Sequence, residues 1–150
     1  MRKITQRLIK MSASDLDEGE EILVGVRVNL KGTAIGFGFS SLGSVIGMEV
    51  GNQIMEDGQE QVKDAQIPFK QQMAFGLTQK RLIIWSRSSF SGRPKDIIGE
   101  MNRSDIQSIR CEEGGMTGDV FVMTLTNGKS VEFEAVKIDK GEEFAGLFGQ

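Results

Sequence analysis

The chain reads as one mainly β domain: a bent antiparallel sheet, or partly open barrel, of seven strands with a C-terminal capping helix. Three observations predict it. Short segments with apolar and polar residues in alternation recur along the chain from residue 22, as strands with one buried face require. An Asn127-Gly128 pair separates two of these segments, and such a pair accepts the positive φ angles of a tight hairpin. The last segment, "DKGEEFAGLFGQ", changes period: Phe144, Leu147 and Phe148 fall at three- and four-residue spacing, the apolar edge of a short helix.

A length of 150 residues suits a single domain with its own core. Hydrophobic residues at 39% and charged ones at 26% describe a globular rather than a disordered chain. The net charge of -3 argues against a general nucleic-acid binder. A single cysteine, Cys111, rules out an internal disulfide framework and fits a reducing compartment. At the N-terminus Gln6, Arg7 and Lys10 interrupt the apolar pattern, so no signal-peptide core follows the first basic residues. The expected location is cytoplasmic, with the membrane periphery as the alternative.

Residues 1–19 read as an N-terminal arm and residues 20–150 as the domain. Within the arm, Ile4, Leu8 and Met11 allow a short helix or a loose extension, and "SASDLDEGEE" reads as a linker. The first strand, "EEILVGVRVNL", places Ile22, Val24, Val26 and Val28 on one face. An insertion at residues 32–68 then interrupts the pattern. After it, "KQQMAFGLT" puts Met73, Phe75 and Leu77 on one face, and "KRLIIWSRS" follows a tight turn. "SFSGRP" is a break set by glycine and proline before "KDIIGEM". In "SDIQSIRCEE", Ile106 and Ser108 alternate against Gln107, Ile109 and Cys111. The final hairpin joins "GDVFVMTLT" to "KSVEFEAV", with Val131, Phe133 and Ala135 inward and Glu132 and Glu134 outward.

The run "FGLTQKRLIIWSRSSFSGRPKDIIGEMNRSDIQSIRCEEGG", with its "LT-x-x-RL" at Leu77, Thr78, Arg81 and Leu82 and its "I-x-x-I" at Ile106 and Ile109, resembles the bacterial PH-like domains, which are related in form to GRAM and pleckstrin-homology domains. The likeness covers roughly residues 70–148 and the first strand. Within that group it is similar to small actinobacterial proteins expected to carry a Gly/Ala-rich insertion between the first two strands. The resemblance implies a fold rather than an activity. Relatives that bind phosphoinositides use basic residues in the loop that is here replaced by an acidic, glycine-rich insertion.

That insertion carries a four-spaced apolar stripe, Leu42, Ile46, Val50 and Ile54, beside a row of Gly43, Gly47 and Gly51. On a helix over residues 40–57 these rows form one face smooth enough for close backbone approach. Glycine costs a helix about 1 kcal/mol per residue relative to alanine, so packing must support it. A membrane span, an interfacial helix, internal packing and contact with a second copy are the candidate environments. The acidic reverse side, Glu49, Glu56 and Asp57, favours protein over anionic lipid.

Chemistry is sparse. The chain has no histidine, which removes the usual general base and the commonest nitrogen ligand. Glu20-Glu21, Glu112-Glu113 and Glu142-Glu143 read as solvated neighbours, Cys111 as a buried structural thiol and Trp85 as a sheet residue. Asp15, Asp17 and Glu20 do not complete a calcium loop, and neither phosphate-cradling glycine motif is present. No catalytic residue, metal site, cofactor or specific small-molecule ligand is expected. Basic residues gather at Lys80, Arg81, Arg87, Arg93 and Lys95; Arg93 and Lys95, flanking Pro94, are the local pair suited to an anionic headgroup or an acidic partner. The expected function is a non-catalytic protein-interaction or self-assembly module acting through Leu42, Gly43, Ile46, Gly47, Val50, Gly51 and Ile54. The alternatives are a peripheral membrane adaptor that binds anionic lipid and, last, an enzyme.

Overall fold

The computed structural model describes residues 1–30 and 72–150. The proposed helix over residues 40–57, with its glycine row and apolar stripe, lies outside the described residues. Helix α1 (Lys3–Met11) precedes seven strands: β1 (Val24–Leu30), β2 (Gln72–Leu77), β3 (Arg81–Arg87), β4 (Pro94–Asn102), β5 (Ile106–Glu112), β6 (Asp119–Leu125) and β7 (Ser130–Ala135). Helix α2 (Gly141–Phe148) closes the chain. The strands form one sheet in the order β4-β3-β2-β1-β7-β6-β5, every described pair antiparallel. Its end strands, β4 and β5, do not pair, so the sheet stays open; a 3-10 turn, Arg103–Asp105, joins them.

The main core lies on one face of the sheet, where Val24, Val26, Val28 and Leu30 of β1 meet Met73, Phe75 and Leu77 of β2 and Phe121 and Phe133 of the last hairpin. Phe75 meets Phe133 edge-on at 5.1 Å, and Phe121 meets Phe144 of α2 at 5.6 Å. Phe144 is fully buried, while Leu147 and Phe148 pack partly buried beside it. The expected capping helix is therefore present, with Phe144 packed into the main core. Gly128 takes φ 89° in the β6–β7 turn, which accounts for the Asn-Gly signal.

The opposite face of β2 and β3 carries a second cluster: Ala74, Ile83 and Trp85, covered by Ile4 and Leu8 of α1. Burial of both faces explains why "LIIW" is continuously apolar rather than alternating. Two glycines make this docking possible. A Cβ at Gly25 would stand 2.6 Å from Leu8 Cδ1, and one at Gly76 would stand 2.7 Å from the Trp85 ring. The Gly25 amide also donates to Thr5 Oγ1 at 3.0 Å. Of the two options the sequence left for the first residues, the structure takes the helix. Among the described residues no helix is long and apolar enough to cross a membrane.

Three local expectations change. Ile22 precedes β1 and packs with Leu8 and Trp85 in the second cluster, not with Val24 to Val28, because the strand starts only at Val24. In β5, a register shift between Ile106 and Ser108 resets the alternation, so that Ile106 and Ile109 face the same core. The linker also contains a structural residue. Glu20, expected to be solvated, is 7% exposed and sits against Thr78 and Arg81.

Candidate functional site

Sheet register brings four strands together at one end of the sheet. Asn29 of β1 lies opposite Gln72 of β2, Met73 lies opposite Ser86 of β3, and Arg87 lies opposite Pro94 of β4. Proline opens β4, where its missing N–H costs least. Register shifts around Trp85 in the β3–β4 pair turn the last residues of β3 away from the regular ladder. Beyond Arg87 the chain reverses through a tight turn. The Ser88 amide donates to Arg93 O at 2.9 Å, and the Gly92 amide, at φ 73°, donates to Ser88 O at 2.7 Å. Ser88 Oγ accepts from the amides of Phe90 and Ser91 at 3.2 and 3.3 Å. These bonds hold Phe90 at the tip, 99% exposed.

A groove of about 560 Å³ runs beside this hairpin, lined by Gln72, Ser86, Arg87, Ser88, Ser89, Lys95, Asp96 and Ile98. Its cationic wall is Arg87 and Lys95; Asp96 offsets one charge. Arg87 is held by neutral oxygens, with Nη2 donating to Asn29 Oδ1 at 2.6 Å and Nη1 to Gly92 O at 3.4 Å. Among the described residues its Nε, like Gln72 Oε1, is buried without a hydrogen-bond partner. The nearby carboxylate, Asp139, is engaged elsewhere. Arg27 grips it twice, Nε to Oδ2 and Nη2 to Oδ1, both at 2.8 Å, and the Arg27 amide adds a third bond at 2.9 Å. Burial pushes the Arg87 guanidinium below its ordinary pKa, the neighbouring Arg27 charge adds to that, and Asp139 opposes it. An arginine left with neutral partners beside a lysine and three serine hydroxyls can hold an anionic oxygen.

The two basic residues singled out by sequence fall at this site in different places. Lys95 lines the groove. Arg93 stands exposed in the turn, its amide donating to Ser91 Oγ at 3.3 Å. Arg87 is the more deeply set cation, and sequence reasoning ranked it below them. Its signal lay in spacing: two positions past Trp85, it ends a strand whose other face is buried. Lys80 and Arg81 lie at the far end of β3, by the β2–β3 turn.

Two other charged clusters are structural. Arg81 Nε and Nη2 each meet a Glu20 oxygen at 3.0 Å, and Thr78 Oγ1 donates to Glu20 Oε2 at 2.7 Å. Hydrogen bonding from Arg81, opposed by burial and assisted by the Asp17 amide and Thr78, holds the Glu20 carboxyl down to about 2. Near α2, Cys111, Asp119 and Glu142 bring potential ligand atoms within 4.8 Å of one another. Lys137 Nζ donates to Asp119 Oδ1 at 2.9 Å, and the Gly114 amide donates to the same oxygen at 3.1 Å. Cys111 is half-buried rather than fully buried, and burial with the neighbouring carboxylates pushes its thiol up to about 11. A protonated thiol and a lysine-paired carboxylate form a weak donor set for a cation.

No protein-family model matches the chain and no curated protein sequence matches it, so the functional reading rests on the chemistry of the groove and hairpin.

Proposed function

We propose that this chain is a non-catalytic docking domain of the PH-like type that seats its β3–β4 hairpin on the anionic, cytoplasmic surface of a membrane. The observation that carries this reading is Phe90, fully exposed at a hydrogen-bonded hairpin tip beside Arg87, Arg93 and Lys95. What supports the reading is the combination: an exposed phenylalanine flanked by cations can enter the headgroup boundary while the cations meet anionic lipid. Burying a phenylalanine side chain is worth about 2 kcal/mol and each basic residue near an anionic surface about 1 kcal/mol. Those terms together describe reversible, salt-sensitive attachment, and the groove's serines and Arg87 would hold one headgroup oxygen cluster.

Cosedimentation with phosphatidylcholine vesicles, with and without phosphatidylserine, tests this. The wild-type protein should pellet with the anionic vesicles only. A Phe90→Ser/Arg93→Gln/Lys95→Gln variant should remain in the supernatant while melting at the wild-type temperature. Equal pelleting of the two proteins would overturn the assignment to the hairpin.

Self-assembly is a second reading, favoured by one specific feature, the four-residue spacing of Gly43, Gly47 and Gly51. It concerns a different part of the chain and is compatible with membrane docking.

A further inference from the structure

Helix α1 is amphipathic, and its apolar side is already occupied by the sheet. Ile4, Thr5 and Leu8 are buried against the sheet, while Lys3, Gln6, Arg7 and Lys10 are exposed on the opposite side. At 100° per residue, Lys3, Arg7 and Lys10 fall within one narrow arc. No acidic residue occurs before Asp15, although the chain as a whole carries a net charge of -3. The remaining cation of the helix start, Arg2, is taken by Glu143 at 2.7 Å. A basic stripe is thus concentrated on an otherwise acidic protein.

We propose that this stripe is a second contact with the same anionic bilayer, an inference that rests on the membrane reading of the hairpin. Several contacts orient α1. Its C-terminal side leads to Asp15, whose carbonyl accepts from Arg81 Nη2 at 2.9 Å at the far end of β3. Its N-terminal side reaches Glu143, in the first turn of α2, shortly after Asp139 and its partner Arg27. Arg27 is opposite Ala74, which is opposite Trp85, two residues before Arg87. The start of α1 therefore lies beside α2 at the level of Arg27, nearer the hairpin end of the strands than its C-terminal side, and Lys3 and Arg7 are exposed there. Because Ile4 and Leu8 are held by the sheet, α1 does not insert; its role is electrostatic. Long, solvated cations suit a fluid layer of headgroups, which demands no fixed geometry, better than a structured acidic protein, which does.

The test is vesicle cosedimentation of a Lys3→Gln/Arg7→Gln/Lys10→Gln variant beside the hairpin variant, with thermal melts of each. Glutamine preserves helix propensity, so the fold should be unaffected. Partition onto phosphatidylserine-containing vesicles should fall about tenfold or more at unchanged melting temperature, and a Lys3→Arg/Lys10→Arg protein should bind like the wild type. Wild-type binding by the glutamine variant, with loss in the hairpin variant, would overturn the α1 contact and leave the hairpin reading standing. Failure of the wild-type protein itself to bind anionic vesicles would overturn both.

Discussion

Glu20 and Arg81, 61 positions apart in sequence, form a two-pronged ion pair in which Arg81 Nε and Nη2 each stand 3.0 Å from a different Glu20 oxygen. The Glu20 side chain is fully buried and that of Arg81 is 17% exposed. Arg81 also pairs with Glu100 of β4 and donates to Asp15 O. The pair thereby ties the segment after α1 to the β2–β3 turn and so holds α1 over Trp85.

Glu20→Gln should lower unfolding stability by about 3 kcal/mol, since it leaves a largely buried guanidinium short of its partner. Its pH dependence has a definite sign. The folded-state carboxyl is held near 2, below its ordinary value of 4.5, so the pair contributes fully above 4.5 and loses its contribution as pH falls from there toward 2. In urea titrations across that range, the gap between wild type and variant should close with acidification. A gap that stayed constant would show that Glu20 gains nothing from ionisation in the folded state.

Gly76→Ala should cost about 1 to 3 kcal/mol by overpacking. The new methyl meets the Trp85 ring and Ile22 Cδ1, both within the buried cluster under α1, and neither has open space to enter. Thermal melts measure the loss, and near-ultraviolet circular dichroism should report a displaced Trp85.

Phe144→Ala should cost about 3 to 5 kcal/mol, as expected for emptying a fully buried aromatic site. Denaturant unfolding gives the value directly. A loss below about 1 kcal/mol would mean that α2 does not dock Phe144 into the main core in solution.

What could be read from the sequence follows from where the controlling contacts lie. Met73, Phe75 and Leu77 share a face because alternation is local, and Asn127-Gly128 declares its turn because the φ requirement is local. Glu20 could not be recognised: it sits in an acidic run, and the arginine that buries it is far away along the chain. Nor could the shift in β5, where one extra residue in the ladder moves Ile109 to the face of Ile106 without any glycine or proline to mark it. At the site, Lys95 was legible as half of a local basic pair. Arg87 needed the fold, since its importance comes from Arg27 having already taken Asp139.

Gly47→Leu addresses the part of the account that rests on sequence alone. If the glycine row receives a second copy, light scattering should show an assembled species that the substitution weakens. If it receives the protein's own sheet, the variant should stay monomeric and lose about 1 to 3 kcal/mol of stability. Unchanged mass and melting temperature would contradict a protein contact at that row.

The proposed docking of the β3–β4 hairpin on a membrane is decided by amide hydrogen exchange of the wild-type protein with and without phosphatidylserine-containing vesicles. Exchange should slow at Ser88 to Lys95 on those vesicles, an effect relieved by salt and absent with phosphatidylcholine alone, while the β6–β7 turn at Asn127 and Gly128 exchanges as in free protein. Unchanged exchange across Ser88 to Lys95, on vesicles that demonstrably carry the bound protein, would contradict it.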